Sequence, residues 1–448
     1  MPHGFYRFLP LLSLVLLASP ANSVTRRVPS EYSTIQSALD ASTTLDTVLV
    51  APGTYTGTGN RMIDFDGKDL VLVSEGGPLV TVLDAEGGPF PNDPFRVIEL
   101  SPGTSNAARI DGFTITGGRR YGTFNEGAGL VCFGSSPTVA NCIIRLNWAG
   151  EDPAKQESEL LSCGEGGGLF IGNAPFPMRI EDCLIEENGS NCSLSGVAVW
   201  DSPDVTFERC TIVRNRFVGL SIRNAGVTLR NCTIANTPIS WDASAGWGIA
   251  VGFDATVQLE KSVVWANCDG IRNVAGSALT ATMSLIDTSD VEGELTLVGE
   301  NLSTDPLFCD PNPCPQWLLG DVGDYRVSAD SPCLPENNSF GVLIGSLGSC
   351  AATSVPTGDY GPWESIWASP NPFSTSTSLS LATVLDHDAT LTVFDIAGRR
   401  VRELQMPRSI APVTWDGSDE DGRMVAPGTY FMRLEGRSDV GGRVTVVR

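Results

Sequence analysis

One phrase returns along most of the chain and limits what it can fold into. RNCTIANT (Arg230 to Thr237) reappears as ANCIIRLN from Ala140, EDCLIEEN from Glu181 and ERCTIVRN from Glu208. Fainter copies are GFTITGG from Gly112, EKSVVWAN from Glu260 and TMSLIDTS from Thr282, where Phe113, Ser262 and Ser284 stand in the cysteine's place. Steps between these positions (Phe113, Cys142, Cys183, Cys210, Cys232, Ser262, Ser284) are 29, 41, 27, 22, 30 and 22 residues. Each unit holds three short runs of alternating apolar residues. One has Leu220 and Ile222, then Val227 and Leu229, then Cys232 and Ile234; the next has Ile249 and Val251, Val257 and Leu259, Ser262 and Val264. Alternation with period two means strands with one buried face. Three strands in about 22 residues, with no helix between them, predict one coil of a parallel β-helix; an array of β-sandwiches is the competing reading.

Coils stacked about 4.8 Å apart would set the cysteines in an inward row. Side chains at that spacing lie a little beyond the usual disulfide range. The spacings also lack the paired Cys-x-x-Cys of a zinc site. Cysteine here reads as a small core filler, so Cys210→Ser is expected to cost modest stability by adding a hydroxyl to a dry core. Asn147, Asn188, Asn215 and Asn267, with Asn236 one place early, are expected to stack in the following turn and bond backbone groups. Glu181, Glu208, Arg230 and Glu260 fall two residues before the ladder position, a surface ion-pair row with Arg230 between two glutamates.

The 448 residues include 48 glycines and carry a net charge of -23, with only 18% charged residues. Many glycines suit tight turns and strands. The negative charge argues against nucleic acid as a partner, since phosphate binding needs clustered Lys and Arg. It also argues against a simple grip on acidic polysaccharides, unless a divalent cation bridges the charges or arginines cluster locally. Residues 1–23 read as a secretory signal: His3 and Arg7 precede the apolar run FLPLLSLVLLA, and small residues follow at Ala21 to Ser23. A membrane anchor is the alternative, but the run is shorter than the ~20 residues a span requires. No later segment is long and apolar enough to span, so the mature chain is expected to be secreted or attached to the cell surface.

The stretch YSTIQSALDASTTLDTVLVAPGTY (Tyr32 to Tyr55) reads as a short amphipathic helix, then a strand over Val48 to Val50 and a Pro-Gly turn. It resembles the opening segment of the pectin-lyase-like right-handed parallel β-helix superfamily, in which such a helix caps the first open coil. The resemblance covers roughly residues 28–350 and implies a right-handed β-helix domain over 24–350. It specifies fold and not activity, because lyases, hydrolases, epimerases, esterases and inert adhesins share the scaffold. The histidines are His3 and His387 alone, so the solenoid has no Ser-His-Asp triad and no His-rich zinc site. The polygalacturonase-like NTD, DD and GHG motifs and the epimerase-like DPHE motif are absent. Ca²⁺-assisted β-elimination stays open, with Asp201, Asp204 and Arg223 as candidates that match no lyase motif.

Insertions mark the working face of a solenoid. Here they follow the asparagine, and their edge collects Arg119, Arg120, Tyr121, Trp148, Trp241, Asp242 and Trp247. Trp200 and Arg223 should point outward from the adjoining strand. Aromatic faces beside polar groups suit sugar rings; the alternative is that the tryptophans merely cover loops. Cys163 and Cys192 lie in insertions of successive units and are expected to bridge, against the alternative of two buried free thiols. Cys309, Cys314, Cys333 and Cys350 gather at the solenoid's end, where oxidation in an exported chain would staple the last coil, with three connectivities open. Cys132 reads as core filler and Cys268 stays unassigned.

After Cys350 the pattern changes to a turn-rich linker (351–368) and five strand signals spaced as in a small antiparallel sandwich. SPNPF (Ser369 to Phe373), VFDIAGRRV (Val393 to Val401), WDGSDEDGRMVAPGTY (Trp415 to Tyr430) and the basic terminal Arg448 resemble two related families. These are the flagellar hook-capping-protein Ig-like repeat and the C-terminal sorting domain of type IX secretion. The resemblance implies a bacterial protein passed outside by export machinery, with an Ig-like domain over 369–448. DGSDEDG fails the EF-hand spacing and reads as an acidic hairpin turn. Two functions follow from the whole: a surface protein that presents loops to a polysaccharide or another cell-surface partner without any cofactor, or a polysaccharide lyase or hydrolase.

Overall fold

The computed structural model describes residues 23–86, 95–120, 126–150, 164–190, 195–238, 246–310 and 324–350, and most of 366–446 in short runs. Cys163, Cys192, Cys314, Tyr121, Trp241 and Asp242 lie outside the described residues, as does 351–365. The expected Cys163–Cys192 bridge falls there too.

Residues 25–298 build three long parallel sheets, of eight, eleven and nine strands. One unit shows the order: Val218–Arg223 in a glycine-led sheet, Gly226–Arg230 in a middle sheet, Thr233–Ala235 in a ladder sheet. The next coil repeats it with Trp247–Gly252, Thr256–Glu260 and Val263–Trp265. Register is one coil per step, with Leu220 beside Ile249, Leu229 beside Leu259 and Ile234 beside Val264. All six are buried in one continuous core. The parallel β-helix expected from the repeat is the fold observed.

The corner between middle and ladder strands explains the repeated phrase. Asn141, Asp182, Arg209, Asn231, Lys261 and Met283 all take the left-handed conformation there, and Gly112 does so before Phe113. The next residue turns its side chain into the core, so Phe113, Cys142, Cys183, Cys210, Cys232, Ser262 and Ser284 are all buried. Cys232 Sγ donates to Arg230 O and, one coil back, to Phe207 O, both at 3.4 Å. Ser262 Oγ donates to Glu260 O and Leu229 O at 3.0 Å and accepts Cys232 N–H at 3.0 Å. Serine and cysteine therefore do the same job, and carbonyl acceptors are already in place. That removes the reason for expecting a cost from an added hydroxyl. Burial holds the Cys183 and Cys232 thiols well above the ordinary range. The row closes on Asn301, whose Oδ1 accepts the Ser284 N–H.

A second ladder runs through the next corner. Asn147 Nδ2 donates to Asn188 Oδ1 at 3.0 Å, and Asn188 Nδ2 donates to Asn215 Oδ1 at 3.1 Å. Asn236 departs from the expected stack. It holds the left-handed position, φ 52°, that Leu146, Glu187, Arg214 and Ala266 hold elsewhere. Thr237 takes the ladder place and donates its N–H to Asn267 Oδ1, while Asn236 reaches out to Tyr325 Oη at 2.6 Å. Opposite this ladder stand the strand-leading glycines. A Cβ on Gly168, Gly196 or Gly248 would come within 2.4–2.5 Å of an asparagine side chain.

Thr25–Val28 starts the middle sheet beside Thr47–Val50, and the helix Ile35–Asp40 buries Ile35, Ala38 and Leu39 over the first coil. Thr34 and Ser37 form its capping box. Asp46 ties this end together, accepting from Val24 N, Thr43 N and Arg26 Nη1. Burial works to raise its pKa, but those hydrogen bonds outweigh it and hold it at about 2.

The far end differs from the expected staple. Residues 302–310 and 324–350 lie along the outer face of the ladder sheet, where Phe308, Tyr325, Val327, Leu334, Ile344 and Leu347 pack on Val213, Ala235, Val263 and Leu285. Asn231 Nδ2 donates to Leu343 O, and Gly345 N–H to Lys261 O. Cys309 and Cys350 are bridged, which fixes this strap on itself. Cys333 is a correction to the sequence reading: its thiol is free and buried in that apolar cluster, where desolvation pushes it up to about 12. Cys132 is core filler, as read, and Cys268 is disulfide-bonded.

Residues 366–446 form two antiparallel sheets around Trp415, which meets Phe373 and Tyr430 edge-on at 5.5 Å. Ile366–Ser369 is already a strand here, with Ile366 fully buried, so the sandwich starts before residue 369. Asp416 accepts Ser418 N–H, and Asp419 accepts the N–H groups of Asp421 and Arg423, so these acids close a turn. On the middle sheet, Glu181, Glu208, Arg230 and Glu260 are in register as expected, but among the described residues Arg230 forms its ion pair with Glu260 and not with Glu208. Glu208 is held by Arg179 and Arg209 instead.

Two expectations follow. Cys210→Ser should change unfolding free energy by less than ~1 kcal/mol, whereas Gly196→Ala should cost ~1–3 kcal/mol through overpacking; denaturant titration of both variants checks this. Asp46 should add stability that is complete above about pH 4 and fades as pH falls toward 2. Acid unfolding followed by circular dichroism should show that component in the native protein and not in Asp46→Asn.

Candidate functional site

The three faces of the solenoid are unequally free. The strap covers much of the ladder sheet's outer face, and arginine–carboxylate pairs line the middle sheet. The glycine-led sheet presents two outward rows. One runs Val131, Phe170, Ala198, Ser221, Ala250, Arg272; the other runs Phe133, Gly172, Trp200, Arg223, Gly252. Val131, Phe170 and Ala198 are buried, with Trp200 edge-on to Phe170 at 5.1 Å.

The second row ends each strand and turns toward the middle sheet. Gly172 leaves the space that the Phe133 ring fills, since a Cβ there would lie 2.9 Å from it. Trp200 comes next, then Arg223. Its guanidinium lies 5.3 Å from the Trp200 ring and 5.5 Å from the Phe253 ring, so it is held between two aromatics. Trp200, Asp201, Arg223, Asn224, Phe253 and Asp254 line an open cleft of about 500 Å³. A neighbouring depression of about 400 Å³ continues past Asp204, Asn224 and Asp254 toward Gln258.

Beneath the cleft sits Glu165. One oxygen pairs with Arg223 Nη2 at 2.5 Å; the other accepts Trp200 Nε1–H at 3.0 Å and the Ser221 hydroxyl at 3.4 Å. Only 2% of its surface is exposed. Burial raises its pKa above the ordinary carboxylate range, and Arg223, Trp200 and Ser221 counter that in part. Glu165 therefore fixes both Trp200 and Arg223.

The turn residues following this row are Gly134, Asn173, Asp201, Asn224 and Phe253, all left-handed. Gly, Asn and Asp take that conformation at lower cost than a bulky aromatic. Phe253, at φ 57°, is also 68% exposed.

The sequence-derived candidates divide. Trp200 and Arg223 meet in the cleft. Arg119, Arg120 and Trp148 lie at the other edge of the sheet, in short strands Arg119–Arg120, Trp148–Ala149 and Gly189–Ser190 that pair in register. Trp148 is no exposed platform: it is 5% exposed, its ring lies on Gly189, and Arg216 covers it at 5.0 Å. Gly189 makes that packing possible, since a Cβ would stand 2.3 Å from the ring. Trp247 begins its strand, the length of that strand away from the cleft, with Arg272 above it at 5.8 Å. Sequence reasoning missed Glu165 and Phe253. The first sits in an insertion with no periodicity; the second was signalled by an aromatic where neighbouring units have Asn or Asp.

Asp201, beside Trp200, accepts Asn224 Nδ2–H, and no group of three or more acidic, histidine or cysteine side chains among the described residues converges on a metal position.

Residues 100–286 match the family model described as a right handed beta helix region, and residues 371–439 match that of the FlgD Ig-like domain. Among solved structures, pectate lyase Pel9A is similar at 15% identity and a TM-score of 0.46, over 70% of this chain and 90% of that chain. No curated protein matches. The chain is a right-handed parallel β-helix followed by a small antiparallel Ig-like domain that is similar to the FlgD Ig-like domain.

Proposed function

We propose that the β-helix is a glycan-binding module that takes a saccharide chain along the turn edge of its glycine-led sheet. Phe253 is the observation that carries this reading. Neighbouring coils place Gly, Asn or Asp at its position, and an aromatic in that conformation, exposed apart from its contact with Arg223, is strained. Such departures from local rules gather where a ligand must be met. Trp200 and Arg223 supply a second aromatic face and a fixed donor, both held by Glu165. Aromatic faces beside polar groups stack on the apolar side of a sugar ring while hydroxyls find hydrogen-bond partners.

The apolar N-terminal run and the C-terminal Ig-like domain favour a protein displayed outside the cell, with export machinery and a surface polysaccharide as its partners. Binding without turnover is the reading, because Arg223 is committed to Glu165 and offers no free base for β-elimination. Retention of the purified full chain on immobilised polysaccharides, with and without Ca²⁺, tests it. Retention without new unsaturated ends supports a binding protein; steady formation of such ends would make it a lyase.

Phe253→Asn separates function from stability. It should raise the unfolding free energy by ~1 kcal/mol, since asparagine accepts the left-handed turn. It should also weaken glycan binding by about tenfold, the equivalent of ~1.4 kcal/mol. Thermal unfolding and affinity electrophoresis on the same preparation read both effects.

A further inference from the structure

From the charge balance of the cleft we infer that the glycan it takes carries no negative charge. This rests on reading the cleft as a glycan site and adds the substrate class. Arg223 is the one cation among the cleft's described lining residues, and the 2.5 Å ion pair with buried Glu165 already neutralises it. The remaining charged groups on the lining are Asp201 and Asp254, both exposed. Asp204, also exposed, adds a third carboxylate in the adjoining depression. The nearest cation in the other outward row, Arg272, is tied to Glu292 at 3.5 Å. A polyuronate or sulfated chain laid here would meet two or three unscreened carboxylates and no uncommitted guanidinium.

What the cleft offers a ligand is two ring faces, carboxylate acceptors at Asp201 and Asp254, and the amide of Asn224. Those groups suit sugar hydroxyls that donate hydrogen bonds, with ring C–H faces set against Trp200 and Phe253. Asp201 is partly engaged by Asn224 at 2.7 Å, which leaves Asp254 as the freer acceptor.

The test uses the full chain and its Asp254→Asn variant, since asparagine keeps the turn and removes the charge. Affinity electrophoresis is run against a neutral β-glucan, a neutral mannan, polygalacturonate and chitosan, at ionic strengths of about 0.05 and 0.5 M. The expected result is retention by at least one neutral glycan, unchanged within about twofold by salt, and weakened about tenfold in Asp254→Asn, ~1.4 kcal/mol. Polygalacturonate should be retained more by the variant than by the native protein, because a repulsive charge is gone. Stronger retention of the native protein by polygalacturonate than by any of the other three polymers overturns the inference while leaving the glycan-binding reading intact. Retention by none of the four overturns both.

Discussion

Two residues at most corners of the coil govern this molecule: one in the left-handed conformation, and one small or polar side chain turned inward behind it. The second residue bonds the backbone of its own corner and of a neighbouring coil, as Ser262 does with Glu260, Leu229 and Cys232. Asn188 does the same one corner later, joining Asn147 and Asn215. A corner that closes in two residues leaves buried backbone groups in need of partners, and these side chains provide them. Because each partner lies in the adjoining coil, the corners also fix the register of every strand. The glycines opposite the asparagines follow from the same demand, since the ladder fills the space a Cβ would use.

That regularity makes the exceptions informative. Two of the three faces are spoken for, one by the strap from residue 302 onward and one by arginine–carboxylate pairs. On the third face, the outer turn interrupts its own pattern at Phe253, and a buried glutamate holds an arginine and a tryptophan in place beside it. Burying Glu165 costs desolvation that only its three partners offset.

The coil and its ladders were legible in the sequence because they are local and periodic. Phe113 through Ser284 form the inward row that the repeated phrase implied, and Asn147, Asn188 and Asn215 stack as read. Asn236 was misplaced by one residue, because Thr237 fills the slot and only Tyr325, 89 residues further on, shows where the asparagine goes. The strap was invisible for the same reason. Its contacts are long-range, so a cluster of cysteines near the end read as a staple, and Cys333 proved to be a packed thiol. Among the site residues, tryptophan content alone could not separate the buried Trp148 from the cleft-lining Trp200, since exposure is set by what neighbouring coils place above each ring. Glu165 carried no sequence signal at all, being one acid in an aperiodic insertion.

Hydrogen–deuterium exchange of the full chain with and without a retained polysaccharide tests the central claim, that the turn edge of the glycine-led sheet is the binding surface. The ladders should keep core strands slow to exchange in both states. Bound glycan should slow exchange in peptides covering 200–204, 223–226 and 252–256, and leave the ladder sheet and the strap unchanged. Protection confined to the strap, the ladder sheet or the Ig-like domain would contradict the account.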